Sequence, residues 1–279
     1  VDRVCGTISE WGINKNYFSK EDAKIFRDEL TYLAIDQRMS FNSPVWFNVG
    51  VKESPKEASH KNKKESYIIR NGGKVSALPI GKDRQYPQTS ACFIQSVDDS
   101  MEGIMDLAKN EALIFKYGSG TGTNLSTLRS SREKLSGGGR PSGPLAYWAC
   151  YDKVAGIVKS GGKTRRAAKM DILNIHHPDI LEFIDSKKNE EKKLHILMDN
   201  GVPYKEAEES VNYQNSNISS RVNDEFMAAV KEDKEIQTVP VHNKEMLEEM
   251  PRYSARKLLR KIAENTHFCG DPGMQYDTA

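Results

Sequence analysis

AAKMDILNIHHPDILEFI, residues 167–184, decides how the fold is read. Its first part, 168–175, is an apolar run of strand length. Pro178-Asp179 then opens a helix that places Ile180, Phe183 and Ile184 on one face. The same order recurs on both sides. Downstream, 213–222 is strand-like and a helix starts at Asn223-Asp224-Glu225. Upstream, an apolar run at 91–97 leads into a helical pattern at 100–116, a glycine-rich turn at 118–122 and a helix at 144–159 opened by Pro144. Two parallel strands need a crossover of a dozen or more residues between them, usually a helix. Strands alternating with helices of this length therefore predict an α/β domain around a mainly parallel sheet. A last helix is expected at 254–265, followed by a turn-rich exit at Cys269–Gly273.

Toward the N-terminus, Ser19 and Asp22 stand in capping-box spacing ahead of Ala23, Phe26, Leu30, Leu33 and Ala34, so 19–39 reads as an amphipathic helix. The stretch 41–47, broken by Pro44, reads as a turn or short strand facing a core. Residues 51–88 shift to Lys, Glu, Ser and Gly, and read as a solvated surface loop or insertion rather than a phosphate patch, despite Lys52, Lys56, Lys61, Lys63 and Lys64. The expected organisation is an N-terminal helical segment, 1–40, followed by an α/β domain, 41–279.

Of the 279 residues, 37% are hydrophobic and 29% charged, which suits a globular chain and excludes a disordered or fibrous one. With 41 Lys and Arg against 39 Asp and Glu, the net charge of +2 gives no global attraction to nucleic acid or to an acidic membrane. Apolar runs such as Leu145–Cys150 fall far short of the ~20 residues that span a bilayer. Asp2, Arg3 and Glu10 stand where a secretory signal would be apolar. A cytoplasmic protein without membrane or nucleic-acid partners is expected. The four cysteines, Cys5, Cys92, Cys150 and Cys269, form no C-x-x-C pair, so neither a disulfide scaffold nor a structural zinc site is expected. His176, His177 and Asp179 lack a third ligand at helical spacing, and no metal is expected there.

Two glycine-rich runs invite a phosphate reading. Gly118-Ser119-Gly120-Thr121-Gly122 is either a phosphate-approaching backbone or a plain glycine turn. Gly161-Gly162-Lys163-Thr164 resembles the end of a P-loop, but Ile157 stands where that motif needs glycine. Lys159, Lys163, Arg165, Arg166 and Lys169 nevertheless fall within eleven residues. Such a cluster suits a polyphosphate, or is a set of solvated loop charges.

Several segments together carry a family likeness: Phe41-Asn42-Ser43-Pro44-Val45-Trp46-Phe47-Asn48, Ser90-Ala91-Cys92-Phe93, Tyr117 to Gly122, Ser160 to Met170, Gln214-Asn215-Ser216-Asn217-Ile218-Ser219, and Gly270 to Asp277. From about Val4 onward the chain resembles the N-terminal part of the catalytic chain of adenosylcobalamin-dependent (class II) ribonucleotide reductases. Gly161 to Met170 is the most specific piece, because oxygen-dependent reductases differ there. The resemblance implies the first half of a ten-stranded α/β barrel. It also implies deoxyribonucleotide synthesis, in which adenosylcobalamin starts thiyl-radical chemistry at the ribose and a cysteine pair supplies electrons.

Carried over by position, Cys92 matches the first member of that redox pair. Ser43, Ser90, Ala91, Cys92 and Gly120 would line the substrate, and Asn215 would face it from a barrel strand. Asp99, Ser100 and Met101 match the start of a helix that holds a regulatory deoxynucleotide, and 129–139, with Arg129 and Arg132, the loop over its phosphates. The 160–169 segment, with Lys163, Arg165, Arg166 and Lys169, would pass specificity from effector to substrate. Cys5, Cys150 and Cys269 read as structural. The family's Asn-x-Cys-x-Glu motif, which bears the thiyl cysteine, is absent from these residues. The expected partners are therefore the remaining half of the enzyme, a thioredoxin-like reductant and a second copy of the chain. The alternatives are a deoxynucleotide-binding regulatory module without chemistry, or an oxygen-dependent reductase large chain, against which Lys163-Thr164-Arg165-Arg166 argues.

Overall fold

The computed structural model describes residues 1–51, 66–70, 74–78, 87–116, 118–158 and 167–278. The chain divides into two compact units, 1–91 and 92–279. In this division residues 41–91 group with the N-terminal helices.

The first unit contains α1 (Asp2–Asn14), α2 (Lys20–Ile35) and α3 (Ser43–Asn48). Ser19 caps α2 as expected, accepting from the Asp22 N–H. The first helix was not anticipated. Its inward positions are Val4, Cys5, Ser9 and Gly12, and with two of these not apolar the helical period is faint. The expected turn or strand at 41–47 is instead α3. Asn42 caps it by accepting from the Val45 N–H, and Pro44 sits in its first turn, where a missing N–H costs nothing. Arg3 donates to the carbonyls of Trp46 (2.5 Å) and Val49, placing a cation at the negative end of α3. The stretch expected to be loop also contains an antiparallel hairpin, β1 (Ser66–Arg70) with β2 (Lys74–Leu78).

The second unit runs β3 (Cys92–Gln95), α4 (Met101–Lys116), β4 (Gly120–Asn124), α5 (Pro144–Ile157), β5 (Lys169–Asn174), α6 (Ile180–Asp199), α7 (Tyr204–Ser210), β6 (Ser216–Val222), α8 (Asp224–Glu232), β7 (Glu235–Gln237), β8 (Arg252–Ser254), α9 (Ala255–Cys269) and β9 (Gly273–Tyr276). Five strands form one sheet in the order β3-β4-β5-β6-β9, every neighbouring pair parallel. Each strand lies beside its predecessor, with helix between. That is the winding of a barrel, because a doubly wound sheet reverses direction at a switch point. The expected α/β fold is therefore present. Its core joins the sheet's Leu173, Ile218 and Val222 to Trp148, Tyr151, Phe183, Ile184, Phe226, Leu258 and Ile262 of the helices.

Two strands lie where turns were expected. In 118–122 only the start is a turn, with Gly118 at φ +81°, and Gly120 begins β4. Beyond Cys269–Gly270, Gly273–Tyr276 adds the fifth strand. The short antiparallel pair β7–β8 and the helix α7 were also not anticipated.

Candidate functional site

Side chains alternate across a strand. On β4, β5 and β6 the buried set is Thr121, Thr123, Lys169, Asp171, Leu173, Ser216, Ile218, Ser220 and Val222. The opposite face, which includes Met170, Ile172, Asn217 and Ser219, is more open. Cys92 and Gly120 are register partners and project the same way. The Cys92 thiol is free and exposed. A Cβ on Gly120 would lie 3.5 Å from Cys92 Sγ and 2.8 Å from the Ala168 carbonyl oxygen, so only glycine fits where these strands converge. Asn215 differs from expectation: it stands one residue before β6. Its backbone N–H donates to Asp152 Oδ1 (2.9 Å) and its Nδ2 to Oδ2 (3.2 Å), turning the side chain toward α5. Ser43, in the first turn of α3, and Ser90 and Ala91 belong to the other unit.

The proposed effector residues lie around the start of α4. Ser100 Oγ accepts from the Gly103 N–H at 3.1 Å, and Met101 is exposed. Asp99 accepts from Arg129 through its backbone N–H (3.2 Å) and Nε (2.5 Å), and its Oδ2 lies 2.8 Å from His242 Nε2. Arg129 Nη1 and Nη2 bond to nothing among the described residues. Arg132 donates to the Pro178 carbonyl (3.2 Å) and pairs with Glu182.

Two buried carboxylates fasten the loop that carries these arginines. Asp179 accepts from Ser130 Oγ, Ser131 N–H and Ser131 Oγ. Glu133 accepts from the backbone N–H groups of Ser130, Val241, His242 and Asn243. Burial raises the Glu133 pKa, but those four donors outweigh it and hold the group below its ordinary value. In the sequence Asp179 stood out only beside His176 and His177 and at a helix start, and Glu133 not at all, because their partners lie up to 110 residues away.

Lys163, Arg165 and Arg166 lie outside the described residues. Lys169 must be corrected: it does not reach toward a phosphate. Position 169 shares the face of Leu173, and its ammonium is buried between Glu111 of α4, which it contacts, and Asp171 Oδ1 at 3.1 Å, all with fully buried side chains. The ammonium also stands 5.1 Å from the Tyr151 ring centroid. Burial raises the pKa of both carboxylates against the pull of Lys169, that of Asp171 to about 7. Neither acid was singled out from the sequence. Cys150, read as structural, is exposed on α5.

The carboxyl ends of β4 and β5 border a cavity of about 230 Å³, lined in part by Ser126, Asn174, His176, His177 and Lys244. Its histidines are engaged. His177 Nδ1 accepts from the Asp179 N–H and its Nε2–H donates to the Leu128 carbonyl at 3.0 Å, which fixes the neutral tautomer, and burial lowers its pKa further. His176 contacts the Gln237 carbonyl and Asn223 Oδ1, each at 3.3 Å.

Comparison with known proteins gives a consistent set. Residues 90–279 match the sequence model of the ribonucleotide reductase barrel domain, and residues 1–37 match that of class II vitamin B12-dependent ribonucleotide reductase. A vitamin B12-dependent ribonucleotide reductase of Rhodopirellula baltica is 51% identical over 100% of this chain and 27% of its own length. The Streptomyces avermitilis protein of that name is 44% identical over 99% of this chain and 26% of its own. Among solved structures, the Actinobacillus ureae class Id ribonucleotide reductase alpha subunit aligns with a TM-score of 0.57 at 14% identity, over 99% of this chain and 36% of that one, a likeness of fold. The chain thus spans about a quarter of the length of the curated relatives it matches.

Proposed function

Because the chain belongs to the ribonucleotide reductase family, in its class II vitamin B12-dependent branch, we propose that it supplies the substrate-side and effector-side residues of an enzyme that reduces ribonucleotides to deoxyribonucleotides. The observation that carries this reading is the exposed Cys92 thiol packed beside the bare backbone of Gly120 on the open face of a barrel-wound sheet. In the overall step the ribose 2′-hydroxyl leaves as water, and two thiols become one disulfide, giving up two electrons and two protons. Cys92 is one of those thiols; the other belongs to the rest of the enzyme, and a thioredoxin-like dithiol restores the pair. Glycines at 120 and 122 leave the open face of β4 bare at these two positions, beside Cys92, which suits the close approach of a ribose or nucleoside group to the strand. Adenosylcobalamin, when bound, supplies the radical that starts the reduction. The residues of this chain bind and orient the ribose, keep water from it and donate electrons.

At the other end, Asp99, Ser100 and Met101 with Arg129 and Arg132 hold a regulatory deoxynucleotide, its phosphates facing the free Nη groups of Arg129. The substrate-side role of Ser43, Ser90 and Ala91, and that of Lys163, Arg165 and Arg166 in passing specificity from effector to substrate, rest on the family likeness. Cys92→Ser in the whole enzyme is expected to abolish multiple turnover while substrate binding stays within about twofold. A hydroxyl packs like a thiol but cannot form the disulfide. Unchanged steady-state turnover would make Cys92 a packing residue. The 279 residues contain no Asn-x-Cys-x-Glu motif, so on their own they should bind nucleotide without reducing it. Deoxynucleotide formed by the purified chain with adenosylcobalamin and dithiothreitol would refute that, whereas binding without reduction even alongside the rest of the enzyme would favour a purely regulatory module.

A further inference from the structure

Glu111, Lys169 and Asp171 form an ion triad whose side chains are fully buried. Replacing such a group by apolar residues of similar volume is often neutral or stabilising, so stability alone does not account for it. Its position is informative. Glu111 lies on α4 ten residues beyond Met101, about 15 Å along the helix axis. Lys169 is the first residue of β5. Its chain neighbour Ala168 comes through to the open face, where its carbonyl and Cβ crowd Gly120, with Cys92 Sγ on the same side. One buried contact thus ties the helix that begins at the effector residues to the backbone beside the redox thiol.

One ammonium serves two carboxylates, one on the helix and one on the strand. The ammonium contacts Glu111 Oε1 and stands 3.1 Å from Asp171 Oδ1, so both carboxylates draw on it at once. As it stands the contact binds strand to helix; were the contact with Glu111 lost, Asp171 would remain the ammonium's partner on its own strand and the helix would be released. Coupling between sites requires a discrete element of this kind that both can bias.

We propose that Glu111, Lys169 and Asp171 are positioning residues that couple the effector end of α4 to the substrate face at Ala168, Gly120 and Cys92. This rests on the reading of 99–101 as effector residues. The test uses the whole reductase with Glu111→Gln, which weakens the tie, and with the paired change Glu111→Leu and Lys169→Met, which removes the ion pair between helix and strand and leaves Asp171 on the strand. Reduction of the four bases is measured without effector and with each deoxynucleotide, and effector affinity by equilibrium dialysis. Effector-driven preference in the parent should span about tenfold or more, within the usual range of allosteric coupling. In both variants it should fall below about threefold, while effector Kd and effector-free turnover stay within about twofold. A folded variant that keeps the parent's preference overturns the proposal, as does a uniform fall of all rates with the preference intact, or failure of both variants to fold. A parent enzyme that shows no effector-driven preference would instead overturn the effector reading, and this inference with it.

Discussion

Lys169 shows how much a single residue can hide. In the sequence it is one of five cations around two glycines, and its charge suggests a phosphate. Strand period argues the other way, because 169, 171 and 173 share a face and Leu173 marks that face as the buried one. The sequence could thus have turned Lys169 inward, but it could not have named Glu111, which lies 58 residues away on another element. Cys92 was legible for the opposite reason: its flanking Ser90-Ala91 carries the likeness and needs no distant partner. The triad makes stability depend on pH. The folded-state pKa of Asp171, about 7, lies above its ordinary value of 3.8, so between these values the folded chain holds a proton that the unfolded chain has lost. Stability therefore falls as pH rises through that interval and levels off above it. Glu111 is shifted in the same direction. Asp171→Asn fixes the neutral form, so its stability relative to the parent should improve from pH 4 to 8, by an amount on the order of a few kcal/mol. Urea unfolding of both proteins at pH 5 and pH 8 reads this directly; a difference that does not change with pH would mean Asp171 stays ionised throughout.

Among the elements, the helices were read most surely where a cap announces them. Ser19 caps α2, Asn223 caps α8 by accepting from the Phe226 N–H, and Pro144 opens α5, each a local signal that tertiary structure had no reason to override. Strands β4 and β9 were missed because Gly-Thr-Gly-Thr-Asn and Gly-Met-Gln-Tyr lack the branched apolar residues that advertise a strand. Their pairing comes from neighbours, and β4 is a strand because β3 and β5 flank it. The glycines there differ in need. An added Cβ meets the Ala168 oxygen at 2.8 Å and its Cβ at 3.1 Å at position 120, but nothing closer than 3.9 Å at 122. Gly120→Ala should therefore force β4 and β5 apart and lower stability by about 1–3 kcal/mol, whereas Gly122→Ala should stay within about 0.5 kcal/mol of the parent. Thermal melts of the two variants side by side decide it, and equal midpoints would show that the strands can relax around the methyl group.

For the whole molecule, the sequential parallel order was implied by alternating strands and helices, but which helix surfaces stay uncovered is visible only in three dimensions. Helix α5 carries just two charged residues: Asp152 is buried against Asn215 and Ser216, and Lys153, exposed, reaches the carbonyls of Glu209 and Val211. The rest of its outward surface is apolar, with Ala146 and Cys150 exposed and Ile157 76% exposed. The neighbouring helix α4 adds exposed Met101, Met105 and Leu113. A helix that is apolar on every side belongs in an interior, and two adjacent helices with such faces fit a second copy of the same chain, since a twofold axis buries each patch against its equal. We propose that the second copy expected from the family likeness docks across these helices. Met105→Glu combined with Ile157→Glu would bring four carboxylates into that contact, two from each copy, without touching Cys92 or the effector residues. Losing one well-packed apolar anchor at an interface centre commonly costs more than 1 kcal/mol, and burying unpaired charge adds to it. The dimer dissociation constant of the whole enzyme should rise at least about tenfold, seen in sedimentation velocity as a concentration-dependent shift toward monomer. A double variant that sediments like the parent at every concentration would place the interface elsewhere.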